Sequence, residues 1–454
     1  MNPGFPLSRE RQKNKINEFH DLDIMKNFIL LLLKFLARLM IARRKPKVIG
    51  ITGSVGKTGA KDAIACVLAA KFSVRKSEKS YNNEFGVPLT ILGIDSGGKN
   101  IFKWAAQLAK AVFNLLRPRY TEVLVLEMGV DKPKDMDYLL RIVRPDIAVF
   151  TSVGEVPVHV ENFLSRNELL KEKAKLALAV PRSGFVVYDN DSSDWPELFN
   201  GKVRAGRISY GLMNDADIKA HRPEIRFADG EGAMPVPLGI AFKIEHKGNT
   251  VPFRIDGVFS DTGAYFVGAA SAVGIIFGIN LIEISSAFLN YVPPRGRMNL
   301  LKGIKGSYIL DDTYNSSPAS LRLALDTLPT LPAKRKIAIL GDMLELGEFS
   351  EPAHRDVGRH MAKVCDIVFT VGLRMQFAKD ELIAHGFKEN ENVFYFEDSE
   401  SAGLKLKEFL KEGDLVLVKG SQGMRMEKVT REIMTHPEQA DELLVRQEKD
   451  WLKM

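Results

Sequence analysis

A glycine turn between an apolar strand and a helix constrains this chain more than any other feature. Residues 47–58 read Lys-Val-Ile-Gly-Ile-Thr-Gly-Ser-Val-Gly-Lys-Thr. Val48, Ile49 and Ile51 read as the end of a buried strand, and Thr52 to Gly56 as a tight turn. Lys57 and Thr58 open a helix that continues through residues 61–65. In this geometry, backbone N–H groups and a helix N-terminus face an anion, Lys57 reaches the outer phosphates, and Thr58 offers a hydroxyl to Mg²⁺. Ile51 stands where the longer G-x-x-x-x-G-K-[ST] pattern has its first glycine, so the motif is the shorter G-x-x-G-K-T. The plain alternative is a strand–turn–helix with a chance Gly-Lys-Thr.

Charge is informative by location. Residues 1–48 hold 11 Lys and Arg against 4 Asp and Glu, while the rest balances at 53 of each. The net charge of +7 therefore belongs to one end, and the pI of 9.1 does not argue for nucleic acid binding. Cys66 and Cys365 lie far apart, which suggests neither a disulfide framework nor a metal cluster and fits a reducing cytoplasm.

Residues 1–22 are polar and read as flexible. Residues 24–42 form an apolar helix with Asn27, Lys34 and Arg38 on one stripe, followed by Arg43, Arg44 and Lys45. The uncharged stretch is short for a bilayer span, and no small-residue cleavage site follows. Two readings stay open: a helix lying on an anionic membrane surface, or one packed on protein.

Beyond residue 46, apolar strands alternate with helices: 122–129, 146–154 and 185–188, then a glycine- and proline-rich antiparallel edge over 216–257 and a small-residue helix over 262–279. Pro293-Pro294-Arg295-Gly296-Arg297 marks a boundary. A second α/β set follows, with strands at 308–311, 336–340, 366–371, 393–396 and 414–418. The expected fold is α/β: a central P-loop-type parallel-sheet domain (46–296), then a Rossmann-like doubly wound domain (297–435). A basic amphipathic segment (1–45) precedes them and a charged tail (436–454) follows.

Several ordered motifs extend the reading: Tyr-Asn-Asn-Glu-Phe-Gly-Val-Pro-Leu-Thr at 81–90, Leu-Glu-Met-Gly at 126–129, Gly-Arg-Met at 296–298, Asp-Asp-Thr-Tyr-Asn-Ser-Ser-Pro at 311–318, Leu-Gly-Asp-Met-Leu-Glu-Leu-Gly at 340–347 and Val-Lys-Gly-Ser at 418–421. With the phosphate loop, this series resembles the Mur ligase family, in family order, across roughly residues 46–435.

The resemblance implies ATP-dependent amide bond formation, in which a carboxylate is phosphorylated and an amine attacks the acyl phosphate. The implied substrates are a peptide or glycopeptide precursor and an amino acid or dipeptide, D-Ala-D-Ala foremost, in the cytoplasm. It assigns Gly53, Ser54, Val55, Gly56, Lys57 and Thr58 to the phosphates, and Asp312, Tyr314 and Asn315 to the nucleotide. Arg297 approaches the γ-phosphate, and Asn82 and Asn83 sit where nucleotide and acyl substrate meet. Thr58, Glu127, His159 and Lys173 would serve one or two Mg²⁺ ions, with Lys173 carbamylated by CO₂ into a carboxylate-like ligand. Lys57, His159, Lys173 and Arg297 are the expected catalytic set.

On pattern alone, Lys171, Lys173 and Lys175 are a solvated helix face, Glu127 a carboxylate at a strand end, and the asparagines turn formers. The chain departs from the family at four points. Gly59-Ala60 follows Thr58, the spacing from Gly154 to His159 is about two residues long, and Gly263 occupies the position of an adenine-binding Asn. A short helical segment stands where the family has a UDP-binding domain. The rival classes are a ligase for another amino-acid polymer, a P-loop kinase or ATPase, and a membrane-associated nucleotide-binding protein without ligase activity.

Overall fold

The computed structural model describes residues 9–78, 81–98, 100–156, 160–228, 235–448 and 451, with side chains from residue 26 onward. His159, expected as a metal ligand, lies outside the described residues.

The first sheet takes ten strands: β1 (Lys47–Thr52), β2 (Val74–Lys76), β3 (Val123–Glu127), β4 (Ile147–Phe150), β5 (Phe185–Asp189), β6 (Gly206–Gly211), β7 (Ile218–Ala220), β8 (Glu224–Phe227), β9 (Pro237–His246) and β10 (Asn249–Asp256). Their order is β10-β9-β7-β6-β5-β4-β1-β3-β2, with β8 also on β9. From β2 to β7 every pairing is parallel, and β8, β9 and β10 add the expected antiparallel edge. β1 is central because its apolar residues are covered on both faces, which is what a parallel sheet between helix layers requires. Gly50 is needed within it, since a Cβ there would lie 2.9 Å from Met128 Sδ.

On one face pack helices Lys57–Ala69 and Thr262–Ile276, joined by apolar positions such as Ala60, Ile64 and Val67 with Ala269 and Val273. On the other pack helices Gly86–Leu92, Ile101–Leu116, Asp135–Leu140 and Arg166–Leu178. The N-terminal helix, Arg9–Arg44, joins this second layer through Ile29, Leu33, Leu36, Ala37 and Met40. Each of the larger of these side chains, fully buried, contributes about 1.5–3 kcal/mol. The helix starts well before residue 24, because Arg, Gln, Lys and Glu in that stretch favour helix. No helix among the described residues is long and apolar enough to cross a membrane. Helix Ile101–Leu116, capped by Asn100, was not read from sequence.

The second sheet has six strands: β11 (Asn299–Lys302), β12 (Tyr308–Asp312), β13 (Arg335–Gly341), β14 (Ile367–Val371), β15 (Val393–Phe396) and β16 (Asp414–Lys419). The order is β11-β12-β16-β13-β14-β15, parallel except for β11. The segment expected as a charged tail is corrected by its packing. Leu444 is buried, and Arg446, 8% exposed, bonds Glu427 and the carbonyls of Thr313 and Tyr314. A solvated tail would leave that guanidinium in water; here a buried carboxylate on helix Glu427–Ile433 fixes it to the second domain.

Candidate active site

A cavity of about 420 Å³ opens where the carboxyl ends of both sheets meet. One wall is the phosphate loop. Gly53 takes φ 142°, and a Cβ there would fall 2.0 Å from Thr151 Oγ1; Gly56 takes φ 83°. Glycine meets both demands. The N–H groups of Ser54 and Val55 donate to the Ser152 carbonyl at 3.0 and 3.1 Å, which pins the loop to the chain after β4. Helix Lys57–Ala69 has no side-chain cap at Gly56, so its first N–H groups face the cavity mouth.

Lys57 folds back over the loop, its Nζ donating to the carbonyls of Gly53 and Ser54 at 3.1 and 3.4 Å. Burial pulls its pKa down, Glu127 opposes that shift, and Arg297 adds to it. Thr58 Oγ1 donates to Glu127 Oε2 at 3.3 Å. Glu127 is 2% exposed at the end of β3. A hydroxyl and a carboxylate this close are the hard oxygen donors that Mg²⁺ takes, so these residues fit the ion.

Lys173 is 4% exposed on helix Arg166–Leu178, and its Nζ donates to the Gly53 carbonyl at 3.1 Å. Burial, followed by repulsion from Lys57, lowers its pKa to about 7. Its neighbours on the helix keep the solvated reading: Lys171 is exposed, and Lys175 pairs with Asp137 and Glu172 at 2.6 and 2.7 Å.

The second domain supplies the opposite wall. Gly296, at φ 65°, and Met298, at φ 57°, bracket Arg297. Its guanidinium stacks 4.1 Å from the Tyr314 ring centroid, and Nη2 donates to Thr58 Oγ1 at 3.4 Å. Arg297 Nε is buried without a protein acceptor. Asp312 ends β12 and pairs with Lys419 at 2.6 Å, both buried; Lys419 also donates to the Asn315 carbonyl at 2.8 Å. Burial lowers the Lys419 pKa and Asp312 resists the shift. The Asn315 side chain accepts from the N–H of Ser316 at 2.9 Å and of Gln422 at 3.4 Å.

The two asparagines divide. Asn82 lines the cavity, and its backbone carbonyl accepts the Gly129 N–H at 2.8 Å. Asn83 does not line it; its side chain caps the Phe85 and Gly86 N–H groups at 3.2 and 3.0 Å, which is turn chemistry. Gly263 lies beneath the cavity, where a Cβ would meet Ile240 Cδ1 at 2.4 Å and Val258 at 2.8 Å. At that end the lining is mostly apolar, with Val258, Phe266, Tyr291, Pro293 and Pro294 beside the hydroxyls of Ser260 and Thr262.

Sequence reasoning missed three charged members: Lys419, Asp131 and Glu345. Lys419 was visible as a lone cation closing the apolar run of β16, inside a motif already noticed. Asp131 lines the cavity and its charge bears on both Lys57 and Lys173. Nothing in its surroundings in sequence marked it. Among the described residues, no group of three or more His, Cys, Asp or Glu side chains forms a metal cluster.

Residues 51–235 match the Mur ligase middle domain, and residues 296–422 match the Mur ligase, glutamate ligase domain. The UDP-N-acetylmuramoyl-tripeptide–D-alanyl-D-alanine ligase of Bacillus subtilis (strain 168) is 28% identical over 407 residues, covering 89% of this chain and 79% of that protein. The enzyme of the same name from Mycobacterium tuberculosis (strain CDC 1551 / Oshkosh) is 30% identical over 398 residues, covering 82% and 70%. The crystal structure of MurF ligase from Thermotoga maritima in complex with ADP superposes with a TM-score of 0.71 at 24% identity, covering 89% of this chain and 83% of that one.

Proposed function

The chain belongs to the Mur ligase family, and from that premise we propose that it joins a peptide-precursor carboxylate to an amine at the expense of ATP, with D-Ala-D-Ala as the amine. The observation that carries this reading is the composition of one cavity. The phosphate loop and Lys57 come from one domain, Arg297 and the Asp312–Lys419 pair from the other, and a buried lysine close to neutrality lies beside the loop. That set neutralises phosphate charge and positions the γ-phosphoryl group, which is most of what phosphoryl transfer asks of a protein.

In the first step a carboxylate oxygen attacks the γ-phosphorus and the β–γ bridging oxygen leaves with ADP. The amine nitrogen then attacks the acyl carbon, inorganic phosphate leaves and the amine loses a proton. Lys57 and Arg297 bear on the phosphates from opposite sides. Thr58, Glu127 and Lys173, once carbamylated, would hold Mg²⁺, with His159 from outside the described residues. Bound there, one or two Mg²⁺ ions would supply charge neutralisation for the transferring phosphoryl oxygens. Lys173 suits carbamylation because CO₂ adds only to a neutral amine. At pH 7 an amine of pKa about 7 is neutral roughly a thousand times more often than an ordinary lysine.

The nucleotide base faces the apolar end of the cavity. Asn82 stands at the edge toward the acyl substrate, while Asn83 acts by shaping that turn. The enzyme works in the cytoplasm with peripheral contact to an anionic inner membrane face through its N-terminal helix. Phe28, Leu31, Phe35 and Leu39 form an exposed stripe there, beside Lys34 and Arg38.

The test is phosphate release by purified protein given UDP-N-acetylmuramoyl-tripeptide and D-Ala-D-Ala. Release that needs both substrates is the expected result. Release without an amine would make the protein a kinase or ATPase. Turnover only with other carboxylates and amino acids would make it a ligase for a different polymer, and nucleotide binding without turnover would overturn the catalytic reading.

A further inference from the structure

Nine of the twenty-one large apolar side chains exposed among the described residues lie on two helices: the N-terminal one and Ile101–Leu116. The second helix is the more unusual. Trp104, Ala111 and Leu115 bury one narrow side. The broad opposite side is apolar and open to solvent, with Phe102 83%, Leu116 65%, Phe113 56%, Ile101 55% and Val112 45% exposed. Ala105, Ala106 and Ala109 fill the spaces between them. A patch of this kind on a soluble chain marks a contact with something else.

The two helices belong to one layer and run side by side. At their C-terminal ends, Arg44 donates to the Leu115, Arg117 and Pro118 carbonyls. At the other end, the Lys26 ammonium lies 5.8 Å from the Phe85 ring, which in turn lies 6.3 Å from Trp104. The exposed stripe of the N-terminal helix and the exposed side of Ile101–Leu116 thus lie on neighbouring helices of one layer. Charge identifies the occupant. Residues 24–47 and 101–119 contain no Asp or Glu, while Lys26, Arg38, Arg43, Lys103, Arg117 and Arg119 are exposed. A second copy of the chain docked symmetrically would set these cations against one another. An anionic bilayer accepts them at its headgroups while the aromatic and aliphatic side chains enter the acyl boundary.

We propose that helix Ile101–Leu116 is the second half of a two-helix face that docks this protein on an anionic membrane. This deepens the peripheral contact assigned above to the N-terminal helix and rests on it.

Flotation of the full chain with phosphatidylglycerol-containing vesicles, against pure phosphatidylcholine vesicles, tests both. Binding should need the anionic lipid and weaken as salt rises. Phe102→Ser with Phe113→Ser should lower the partition coefficient tenfold or more, and Leu31→Ser with Phe35→Ser should do the same. A Phe102→Trp reporter keeps the surface apolar, and its fluorescence should be quenched by brominated acyl chains. If the Phe102/Phe113 variant binds like wild type and the reporter is not quenched, while the Leu31/Phe35 variant fails to bind, the second helix is not an anchor and only the N-terminal contact stands. If wild type ignores anionic vesicles at low salt, both readings fall. A dimer in light scattering that the Phe102/Phe113 pair converts to monomer would identify a second copy as the occupant and overturn the proposal.

Discussion

Lys173 Nζ donates to the Gly53 carbonyl at 3.1 Å, so the helix that carries the buried amine is tied directly to the first glycine of the phosphate loop. That contact holds the nitrogen against the glycine turn of the loop. Burial, then the nearby Lys57 ammonium, disfavour the cation there and lower the amine's pKa to about 7.

The proposed carbamylation of Lys173 has a direct test. Mass spectrometry under CO₂ should find the adduct at neutral and higher pH. Uptake should fall as pH drops through about 7, because protonation removes the nucleophilic lone pair. Lys173→Ala should lose activity by at least a hundredfold, in line with removal of a group that supports charge in the transition state. Added formate or acetate should restore part of it. An unmodified lysine pointing to solvent in crystals grown under CO₂ would rule the role out.

Lys57→Ala should abolish turnover while leaving the circular dichroism spectrum and melting temperature close to wild type. The ammonium donates to two loop carbonyls, and the charge it brings to the phosphates has no replacement. Near-normal ligation by the folded variant would remove the loop from the mechanism.

Arg297→Lys should lower kcat by about a hundredfold with the fold intact. A lysine cannot both stack on Tyr314 and reach Thr58, since stacking and planar forked donation belong to guanidinium. Single-turnover kinetics separate this from an effect on nucleotide affinity. An unchanged rate of the chemical step would show that Arg297 only binds.

Lys419→Met should destabilise the second domain by about 3–5 kcal/mol, because it strands the Asp312 carboxylate in a buried site. Changing both residues, Lys419→Met with Asp312→Asn, should recover much of that loss in urea unfolding yet leave KM for ATP raised. Equal stability of the single and double variants would mean that the pair is uncoupled.

Gly263→Asn restores the residue that the family pattern leads one to expect, and should still weaken the protein. Its side chain would have to displace Ile240 and Val258, and overpacking of this kind costs about 1–3 kcal/mol. Calorimetric binding of ATP should not improve. A tighter, stable variant would show that the apolar lining here yields easily.

The sequence by itself determined the phosphate loop, the alternation of buried strands and helices, the antiparallel edge and the proline-rich turn before Arg297. Each is written locally, in glycines at positive φ, apolar runs that only a twice-covered sheet can bury, and a proline-rich turn. Family motifs then pointed to Lys173, Arg297 and Asp312. The convergence of these residues was decided by tertiary structure, because residues 53, 173, 297 and 419 meet only when two sheets present their carboxyl ends to one cavity. Local pattern also could not tell Asn82 from Asn83, since both favour the same turn and only packing chose which one faces the cavity. Nor could periodicity reveal that the apolar side of Ile101–Leu116 is left exposed. An apolar stripe states that something must cover it, and only the folded neighbours show whether this chain supplies the cover itself.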